Sequence, residues 1–302
     1  MQISTQKRSF KLPDYLLACL QLMRPANIVT AWADILAGYT VSGVVLAHSN
    51  LAWLLLATTG LYGGGVVFND VCDAQLDKIE RPERPIPSDR ISRSTATFLG
   101  SLLLGIGVLA AAQVSRLSLI LALSIAVLAL IYDRFSKHHF LLGPLNMGLC
   151  RGCNLLLGVS AVPLLVSQRW YLALIPIIYI AAVTAISRGE VTGGKSKTGV
   201  IALFLLGIVL MSFIFLSWTP NYTFLAALPF WILLAIRVFP AWYKATVNPQ
   251  PDIIRHAVKI GVISLILLDA TLGAGFTDVL LGLVILSLLP LSLALARLFS
   301  VT

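Results

Sequence analysis

Long apolar runs separated by short polar segments dominate the hydrophobic pattern of this chain. Each run is about 17 to 25 residues long, the length at which an α-helix crosses a lipid bilayer. The runs lie at approximately residues 27–47, 51–69, 95–113, 117–133, 142–166, 170–188, 199–218, 221–240, 256–276 and 278–298. The tenth run is either an added C-terminal helix or one arm of a bent hairpin with the ninth. The pattern predicts an all-α fold, a polytopic transmembrane bundle of nine to ten helices.

Composition also indicates a membrane protein and leaves no room for a separate soluble domain. Hydrophobic residues make up 58% of the chain and charged residues 12%, with a mean hydropathy of +0.90. Soluble domains carry about twice that charged fraction. The polar start, residues 1–11, is not followed by a short apolar core with a cleavage site of small residues. We therefore expect one integral-membrane domain over residues 1–302 and no cleaved signal peptide.

The basic residues predict an orientation in the membrane. The net charge is +9, and the chain has 22 Lys and Arg residues. When the N-terminus is placed in the cytoplasm, only Arg116 and Arg169 fall in the opposite loops, as the positive-inside rule requires. The segments 69–94, 133–141, 188–198 and 241–255 then share the cytoplasmic side and are expected to build one site. Because topology explains the charge, nucleic acid is not expected as a partner.

Acidic residues concentrate in one polar stretch, residues 69–90, directly after the second apolar run. Six of the 13 Asp and Glu residues lie there: Asp70, Asp73, Asp77, Glu80, Glu83 and Asp89. If the helix continues into this stretch, the three aspartates at i, i+3 and i+7 fall within roughly 60° of one another and span about 10 Å along the axis. Carboxylates held this close favour a shared divalent cation, and oxygen ligands of this kind suit Mg²⁺.

Basic residues interleave with these acids, namely Lys78, Arg81, Arg84 and Arg90. Arginine binds phosphate oxygens through paired hydrogen bonds. Ligands for Mg²⁺ beside arginines, at a membrane surface, indicate a diphosphate carried on a lipidic tail. The alternative is an ordinary charged cytoplasmic loop held by salt bridges. The aspartate spacing at a helix end, with a Pro-rich segment behind it, favours the site.

The motif in this stretch is similar to a known family signature. Asn69-Asp70-x-x-Asp73-x-x-x-Asp77, followed by Arg81 and Arg84-Pro85-Ile86-Pro87, resembles the first aspartate-rich motif of the UbiA superfamily of intramembrane prenyltransferases. The resemblance covers most of the chain, from Arg24-Pro25-x-Asn27 to about residue 276. It implies a UbiA-like bundle, usually of nine spans. It also implies that Asp70, Asp73 and Asp77 hold Mg²⁺ and that Asn69, Arg81 and Arg84 meet the substrate.

Other segments that match the family supply further candidates. The resemblance implies that Asn27, at the start of the first span, faces the substrate cavity. Tyr132 and Lys137, at the end of the fourth span, resemble the family's Tyr-x-x-x-x-Lys segment. Lys137 would then meet a phosphate and Tyr132 would line the path of an allylic cation. The alternative is a snorkelling lysine and a tyrosine of the aromatic belt.

Two ionisable residues lie inside predicted spans. Arg151 lies deep in the fifth span with Asn146 and Asn154 near it in sequence, and it requires an anionic partner there. That partner is either the group of aspartates at residues 70–77 or the diphosphate of a substrate. Arg151 is therefore a candidate binding residue. Asp34, in the first span, is either a functional group or part of a buried hydrogen bond.

The second acidic signature of the family is reduced in this chain. In the equivalent stretch, residues 187–195, Glu190 stands for the first acid and Gly194 falls where the second would lie. Arg188 and Lys195 accompany Glu190 and are candidate substrate-binding residues, with Glu190 as a fourth metal ligand. One carboxylate is compatible with a single Mg²⁺, with a changed substrate or with lost catalysis. The stretch also resembles a divergent, EboC-like branch of the family.

The function that follows is Mg²⁺-dependent prenyl transfer from a prenyl diphosphate to a lipophilic acceptor, expected to be aromatic, within the membrane. The catalytic candidates are Asp70, Asp73, Tyr132 and Lys137. The reduced second motif supports an alternative, a binding or metabolite-transport partner that keeps the fold with reduced catalysis. A CDP-alcohol phosphotransferase also carries an aspartate array, but its Asp-Gly and Ala-Arg pattern is missing here.

Overall fold

Helices form nearly all of the described structure, which confirms the predicted all-α fold. The computed structural model describes residues 12–44, 49–137, 139–191 and 193–299, so the basic segment 1–11 lies outside it. The chain first forms α1 (Leu12–Met23), α2 (Pro25–Val41), α3 (Ser49–Glu80), α4 (Arg93–Ala112), α5 (Arg116–Ile131) and α6 (Leu142–Val159). It continues with α7 (Pro163–Arg169), α8 (Leu174–Ser187), α9 (Ser196–Leu216), α10 (Phe224–Val247), α11 (Pro251–Ile263), α12 (Leu265–Phe276), α13 (Val279–Leu286) and α14 (Leu288–Leu298).

Eight helical segments of the described chain are long and apolar enough to cross a membrane. They are α3, α4, α5 with the turn after it, α7–α8, α9, α10, α11–α12 and α13–α14. The other two predicted runs form α2 and α6. Helix α2 has only 17 residues, and α6 carries Arg151 between two asparagines, yet most residues of both helices are buried. The protein is an integral, multi-pass membrane protein.

Proline moves one predicted boundary. The expected run 142–166 is not a single helix, because α6 ends at Val159 and α7 begins at Pro163. Proline cannot donate a backbone hydrogen bond in a helix and restricts the residue before it, so the chain turns at residues 160–162. From Pro163 the chain continues through a 3₁₀ turn at residues 170–173 into α8. The next span therefore starts earlier than the predicted residue 170.

The C-terminal run folds back on the run before it. Helices α11–α12 and α13–α14 are joined by residues 277–278, and the side chain of Asp278 caps α13 by accepting from the backbone N–H of Leu281 at 2.9 Å. The other end of this arm packs on α2, where the Ser292 hydroxyl donates to the Ala26 carbonyl at 3.0 Å. The tenth run is thus one arm of a tight hairpin.

Helix α2 is the central element of the bundle, with a different hydrophobic cluster on each side. Val29 and Ala33 join a cluster formed mainly by α8, α9, α10 and α12. Ile35 and Tyr39 join a second cluster formed by α3, α4, α5 and α6. Because α2 is covered on both sides, polar groups on it must find partners inside the bundle.

Glycine permits the close approach of α2 and α6. A Cβ added at Gly38 would lie 2.2 Å from the carbonyl oxygen of Leu155, and one added at Gly158 would lie 2.5 Å from that of Ile35. Gly60 approaches α4 in the same manner, with 2.4 Å to the Leu103 carbonyl oxygen. Small residues therefore bring these helices together.

The four segments that were expected to share one side do converge at one end of the bundle. Glu190 pairs with Arg81, and the Gly194 amide donates to the Pro249 carbonyl at 2.9 Å. The Arg188 guanidinium donates to the carbonyls of His139 and Phe140 at 2.8 and 2.9 Å. This arrangement confirms the shared end, while the assignment of that end to the cytoplasm stays a prediction.

Candidate active site

A cavity of about 380 Å³ opens inside the bundle beneath these loops. Helix α3 contributes one wall, and its sequence divides that wall in two. The earlier part of the wall is mainly apolar, with Leu61, Tyr62 and Val66, and the later part carries Asp73 and Asp77. The remaining apolar lining includes Ile125, Ala129, Met147, Ile180, Val183, Val258, Val262 and Leu265. The cavity thus has a charged mouth and an apolar interior.

The three aspartates lie on the last turns of α3, which continues through the acidic stretch to Glu80 as the spacing required. Asp73 and Asp77 line the cavity, whereas Asp70 lines a neighbouring pocket. Asp70 and Asp77 are each only 4% exposed. The predicted face therefore forms, but it is divided between two adjoining spaces.

Basic side chains neutralise each of these aspartates. Arg84 bridges two of them, at 2.8 Å from Asp77 and 3.2 Å from Asp70. Arg24 also pairs with Asp70, at 2.8 Å, and Lys137 pairs with Asp73. Two of these cations, Arg84 and Lys137, were predicted from sequence to meet phosphate. Here they hold the positions that an incoming cation would otherwise take.

The donor chemistry of the site fits Mg²⁺. Carboxylates of Asp73, Asp77, Asp133 and Glu190 line one cavity, and carboxylate oxygens are the ligands that Mg²⁺ prefers. Within the described residues, no three acidic, histidine or cysteine side chains converge into a ready-made metal site. The ion pairs explain this, because each aspartate is turned toward an arginine or lysine. Metal binding would require those pairs to open.

A short π-helical turn at residues 132–136 follows α5 and carries a second group of polar side chains to the cavity. Such turns are frequent at functional sites because the extra residue redirects the side chains. Tyr132, Asp133 and Lys137 all line the cavity. The Asn69 side-chain amide donates to Asp133 at 2.8 Å. The structure therefore brings Asn69, Tyr132 and Lys137 together with Asp73, as expected.

Glu190 is the acid of the reduced second stretch, and it does reach the site. It lines the cavity and lies 3.4 Å from the Arg81 guanidinium. Burial raises the pKa of Glu190, and the charge of Arg81 opposes that rise. Burial lowers the pKa of Arg81, and the nearby Arg84 guanidinium lowers it further. Positive charge is therefore crowded at this boundary.

Two of the predicted substrate-binding residues are not part of the cavity wall. Arg188 binds the loop carbonyls described above and stacks 5.0 Å from the centre of the Phe140 ring. Lys195 lies directly before α9. Neither described side chain lines the cavity, so only a change of conformation would bring them to a substrate.

Arg151 has a partner that the sequence interpretation did not choose. Its guanidinium lies 2.7 Å from the Asp34 carboxylate and donates to the Thr30 hydroxyl at 2.8 Å. Asn154 donates to the same carboxylate at 2.8 Å. The aspartates of α3 are therefore not its counterion. Arg151 still lines the cavity, 5.5 Å from the centre of the Tyr62 ring, and Asn27 lines it as well.

The family profile decides the identity of the fold, since it matches residues 27–251 and is described as the UbiA prenyltransferase family. The chain belongs to the UbiA prenyltransferase family. The matched region contains nearly every residue that forms the cavity. The UbiA family resemblance expected from the aspartate-rich motif is thus confirmed.

Relatives of this UbiA-family chain include proteins named digeranylgeranylglyceryl phosphate synthase. The protein of Methanothrix thermoacetophila is 36% identical over 140 residues, which cover 46% of this chain and 52% of that protein. The protein of Metallosphaera sedula is 30% identical over 185 residues, covering 61% and 64%. The chain thus matches about half to two-thirds of the length of these relatives.

Solved structures show the same fold at low sequence identity. A UbiA homologue from Aeropyrum pernix aligns with a TM-score of 0.69 and 16% identity, over 81% of this chain and 96% of the other. A digeranylgeranylglyceryl phosphate synthase aligns with a TM-score of 0.64 and 20% identity, over 87% and 98%. A homologue from Archaeoglobus fulgidus, bound to DMAPP and Mg²⁺, aligns at 0.51 with 15% identity, over 94% and 99%.

Two residues that line the cavity of the UbiA-family bundle, Arg24 and Asp133, were missed as site residues. Arg24 was noted only as part of the Arg-Pro helix start, yet it lines the cavity and pairs with Asp70. Asp133, next to Tyr132, lines the cavity as well. Asp269 was missed as a neighbour of Asp34, since it is fully buried in α12 beside that residue, away from the cavity wall. An ionisable residue in an apolar run was the available signal for Asp269.

Proposed function

We propose that this protein transfers a prenyl group from a prenyl diphosphate to a lipophilic acceptor within the membrane, with Mg²⁺ as cofactor. The observation that carries the proposal is the single cavity in which acids and arginines at the loop end lead into an apolar interior. A diphosphate needs the first part and an isoprenoid chain needs the second. Family membership and the relatives' names support the same reaction class.

The charged mouth of the cavity would bind the diphosphate. Asp70, Asp73, Asp77 and Glu190 would hold Mg²⁺, which, when bound, neutralises charge on the departing pyrophosphate. Arg84 and Lys137, now paired with the aspartates, would transfer their hydrogen bonds to phosphate oxygens. Guanidinium and ammonium groups placed where negative charge develops lower the barrier to C–O cleavage.

The apolar interior would hold the chain and the cation that forms from it. When the allylic C–O bond breaks, pyrophosphate keeps the electron pair and the carbon becomes positive. The rings of Tyr62 and Tyr132 line the cavity, and ring faces attract cations. The apolar wall excludes water, which would otherwise quench the cation. The acceptor then supplies the electron pair of the new bond and loses a proton.

The proposal also concerns the chemical class of the acceptor and the orientation of the protein in the membrane. An aromatic ring is the acceptor expected from sequence, whereas the relatives are named for a glyceryl phosphate product. The positive-inside rule places the charged mouth in the cytoplasm. A soluble diphosphate head and a lipid tail would then approach from the cytoplasm and the bilayer respectively.

The test is pyrophosphate release by the purified protein in detergent. Geranyl, farnesyl and geranylgeranyl diphosphates are supplied with and without Mg²⁺, together with an extract of native lipids and aromatic compounds. We expect Mg²⁺-dependent release that Asp73→Ala abolishes and that Asp14→Ala, a matched change at an exposed acid, leaves intact. Diphosphate binding without release would instead support the alternative, a UbiA-fold binding or metabolite-transport partner.

Glu190→Gln separates the roles of the two acidic stretches. If Glu190 is a metal ligand, the variant requires a higher Mg²⁺ concentration for half-maximal release. Full activity at the wild-type Mg²⁺ requirement would show that the second stretch no longer holds metal and that the aspartates of α3 act alone.

A further inference from the structure

Arg188, at the end of α8, holds the connection between α5 and α6, residues 132–141. One nitrogen of its guanidinium, Nη2, donates to the carbonyl oxygens of His139 and Phe140 at 2.8 and 2.9 Å. The guanidinium also lies 5.0 Å from the centre of the Phe140 ring, a distance at which a cation is attracted to the ring face. The Arg188 side chain is thus anchored on a neighbouring loop.

Lys137 lies in the part of this connection that is held from two sides. Directly before it, the Ser136 hydroxyl accepts from the Asn146 side-chain amide at 3.1 Å, and both residues are buried. Two residues after it, the His139 carbonyl accepts from Arg188. The backbone at Lys137 is therefore fixed from α6 on one side and from α8 on the other.

The position of this backbone matters because the Lys137 ammonium pairs with Asp73. The Lys137 side chain is 21% exposed, and an ion pair with access to water contributes little stability of its own. Its geometry therefore depends on how firmly the two backbones are held. Asp73 belongs to the regular helix α3, whereas Lys137 follows the π-helical turn and depends on the contacts around it.

Close packing of α6 against α8 brings Arg188 to this loop. A Cβ added at Gly148 would lie 2.6 Å from the Ile177 carbonyl oxygen, and one added at Gly152 would lie 3.0 Å from that of Ala173. Positions 148 and 152 thus meet positions 177 and 173 in reverse order, so the two segments run antiparallel. The end of α8 therefore lies beside the start of α6.

The stretch that follows Arg188 is folded back on itself. A Cβ added at Gly189 would lie 2.6 Å from the Gly194 Cα atom, so the two glycines are in contact. Glu190, between them in sequence, lines the cavity and pairs with Arg81 in the loop after α3. Arg188 and Glu190, two residues apart, therefore contact the two different loops that carry the charged mouth.

We propose that Arg188 is a positioning residue, which keeps the Lys137 ammonium at the charged mouth by fixing the α5–α6 connection to the end of α8. The placement of Lys137 requires no reaction, whereas its consequence for a diphosphate rests on the proposed function. When Lys137 exchanges Asp73 for a phosphate oxygen, a fixed backbone reduces the conformational entropy that binding costs. This role differs from the direct contact with substrate that the sequence predicted for Arg188.

The first experiment measures the position of Lys137 without a substrate. The full-length protein in detergent is treated with a trace of an amine-acylating reagent, and mass spectrometry follows the rate of modification at Lys137. An ammonium held by a carboxylate reacts slowly, because the reaction requires the neutral amine. Asp73→Asn supplies the rate for the unpaired side chain. We expect Arg188→Gln to raise the rate about fivefold, the effect of losing about one hydrogen bond.

Two variants separate this effect from a change of charge. Loss of a neighbouring positive charge by itself stabilises an ammonium ion and slows acylation, so a faster reaction reports the released loop. Arg134→Gln removes the same charge from an exposed position three residues before Lys137 and should not accelerate the reaction. Arg188→Lys keeps the charge and a nitrogen that can donate to both carbonyls, so its rate should lie between those of the wild type and Arg188→Gln.

The same experiment contains an internal reference for unfolding. The Lys259 ammonium donates to the Ala296 carbonyl at 3.0 Å, on the other side of the bundle from the α5–α6 connection. Its rate of acylation should be the same in Arg188→Gln and the wild type. A rise at Lys259 equal to that at Lys137 rejects the proposal, because Arg188 would then hold the whole fold and not this loop.

A second experiment asks whether Arg188 acts through Lys137. Equilibrium binding of inorganic pyrophosphate in the presence of Mg²⁺ is measured for Arg188→Gln, Lys137→Met and the double variant. We expect Arg188→Gln to weaken binding about fivefold when Lys137 is present and to have no further effect when Lys137 is replaced. An equal loss in both backgrounds would mean that Arg188 meets the anion directly, and it would reject the proposal.

The outcomes separate this inference from the proposed function. Faster acylation of Lys137 in Arg188→Gln, in a protein that neither binds nor releases pyrophosphate, supports the positioning role and counts against prenyl transfer. An unchanged rate at Lys137 in Arg188→Gln, in a protein that does transfer prenyl groups, rejects the positioning role and leaves the reaction intact.

Discussion

Two clusters of charged side chains in this protein differ in their access to water and in the way the chain assembles them. The mouth cluster consists of Asp70, Asp73 and Asp77 with Arg84 and Lys137, and its side chains are 5–21% exposed. The inner cluster consists of Asp34, Arg151, Asn154 and Asp269, where the Asp34–Arg151 pair is only 0–6% exposed. The mouth cluster takes its acids from one helix, and the inner cluster takes one or two members from each of α2, α6 and α12.

The difference in access to water determines which charged side chains can exchange one partner for another. At the mouth, Arg84 contacts two carboxylates and adjoins two pockets, so a phosphate or a metal ion can enter and replace a pair. In the inner cluster, a charged group that lost its partner would not be solvated by water. The free-energy cost of separating the pair would therefore be large. We therefore expect mouth residues to control activity and inner residues to control stability.

The largest effect is expected from Asp73→Ala. Loss of this carboxylate should lower prenyl transfer by about a thousandfold, because a group that stabilises developing charge is removed. Thermal unfolding in detergent should remain close to that of the wild type, since Asp73 is not fully buried. Asp70→Ala should lower prenyl transfer to a similar extent. Wild-type turnover by either variant would contradict the metal-site assignment.

A large loss of stability is expected from Arg151→Met. The change strands the buried Asp34 carboxylate, and breaking such a pair costs about 3 kcal/mol or more in free energy of unfolding. Denaturation in mixed micelles measures it. The double variant Arg151→Met with Asp34→Leu should recover part of the loss, because no unpaired charge remains. If the single variant is as stable as the wild type, the inner cluster is not structural.

A smaller loss is expected from Gly38→Ala. The added Cβ meets the Leu155 carbonyl oxygen at 2.2 Å, so α2 and α6 must separate, at a cost of about 1–3 kcal/mol. Separation would also stretch the Asp34–Arg151 contact. Gly207→Ala is the matched control, because a Cβ there meets no atom within 4 Å. Equal stability of the two variants would show that the helices do not pack this closely.

The smallest effect concerns the pH dependence of stability at Glu190. Burial raises the pKa of this carboxyl above its ordinary value of 4.5. The folded chain therefore holds the proton at pH values where the unfolded chain has lost it, and the stability that this supplies is lost as pH rises through the folded pKa. The unfolding midpoint of Glu190→Gln, relative to the wild type, should rise from pH 4.5 toward neutrality.

The acids and arginines of the mouth cluster could be predicted from the sequence because they lie close together along the chain. Three aspartates at helical spacing lie on one face wherever α3 goes, and the arginines follow within a few residues. The resemblance to the family was specific for the same reason. Lys137 joined this list through its own short motif, and the structure brings it to Asp73.

The partners of Arg151 could not be predicted from the spacing of residues within one segment. The sequence showed that an arginine in a span needs an anion, but Asp34 is more than a hundred residues away and Asp269 lies still further along the chain. Only the close packing of α2 on α6 at Gly38 and Gly158 brings Asp34 to Arg151. The same limit applies to the neighbouring pocket that Asp70 lines, whose wall comes from α1, α3, two loops and α11.

What the sequence by itself determined was the bundle of membrane helices, the shared end of the polar loops and the identity of the acids at the mouth. Each of these follows from hydrophobic period, charge or spacing within one segment. Tertiary structure decided which cations neutralise those acids, which aspartate serves Arg151 and where a second pocket opens. Those outcomes depend on distances between helices that are remote in sequence, and helix packing alone sets those distances.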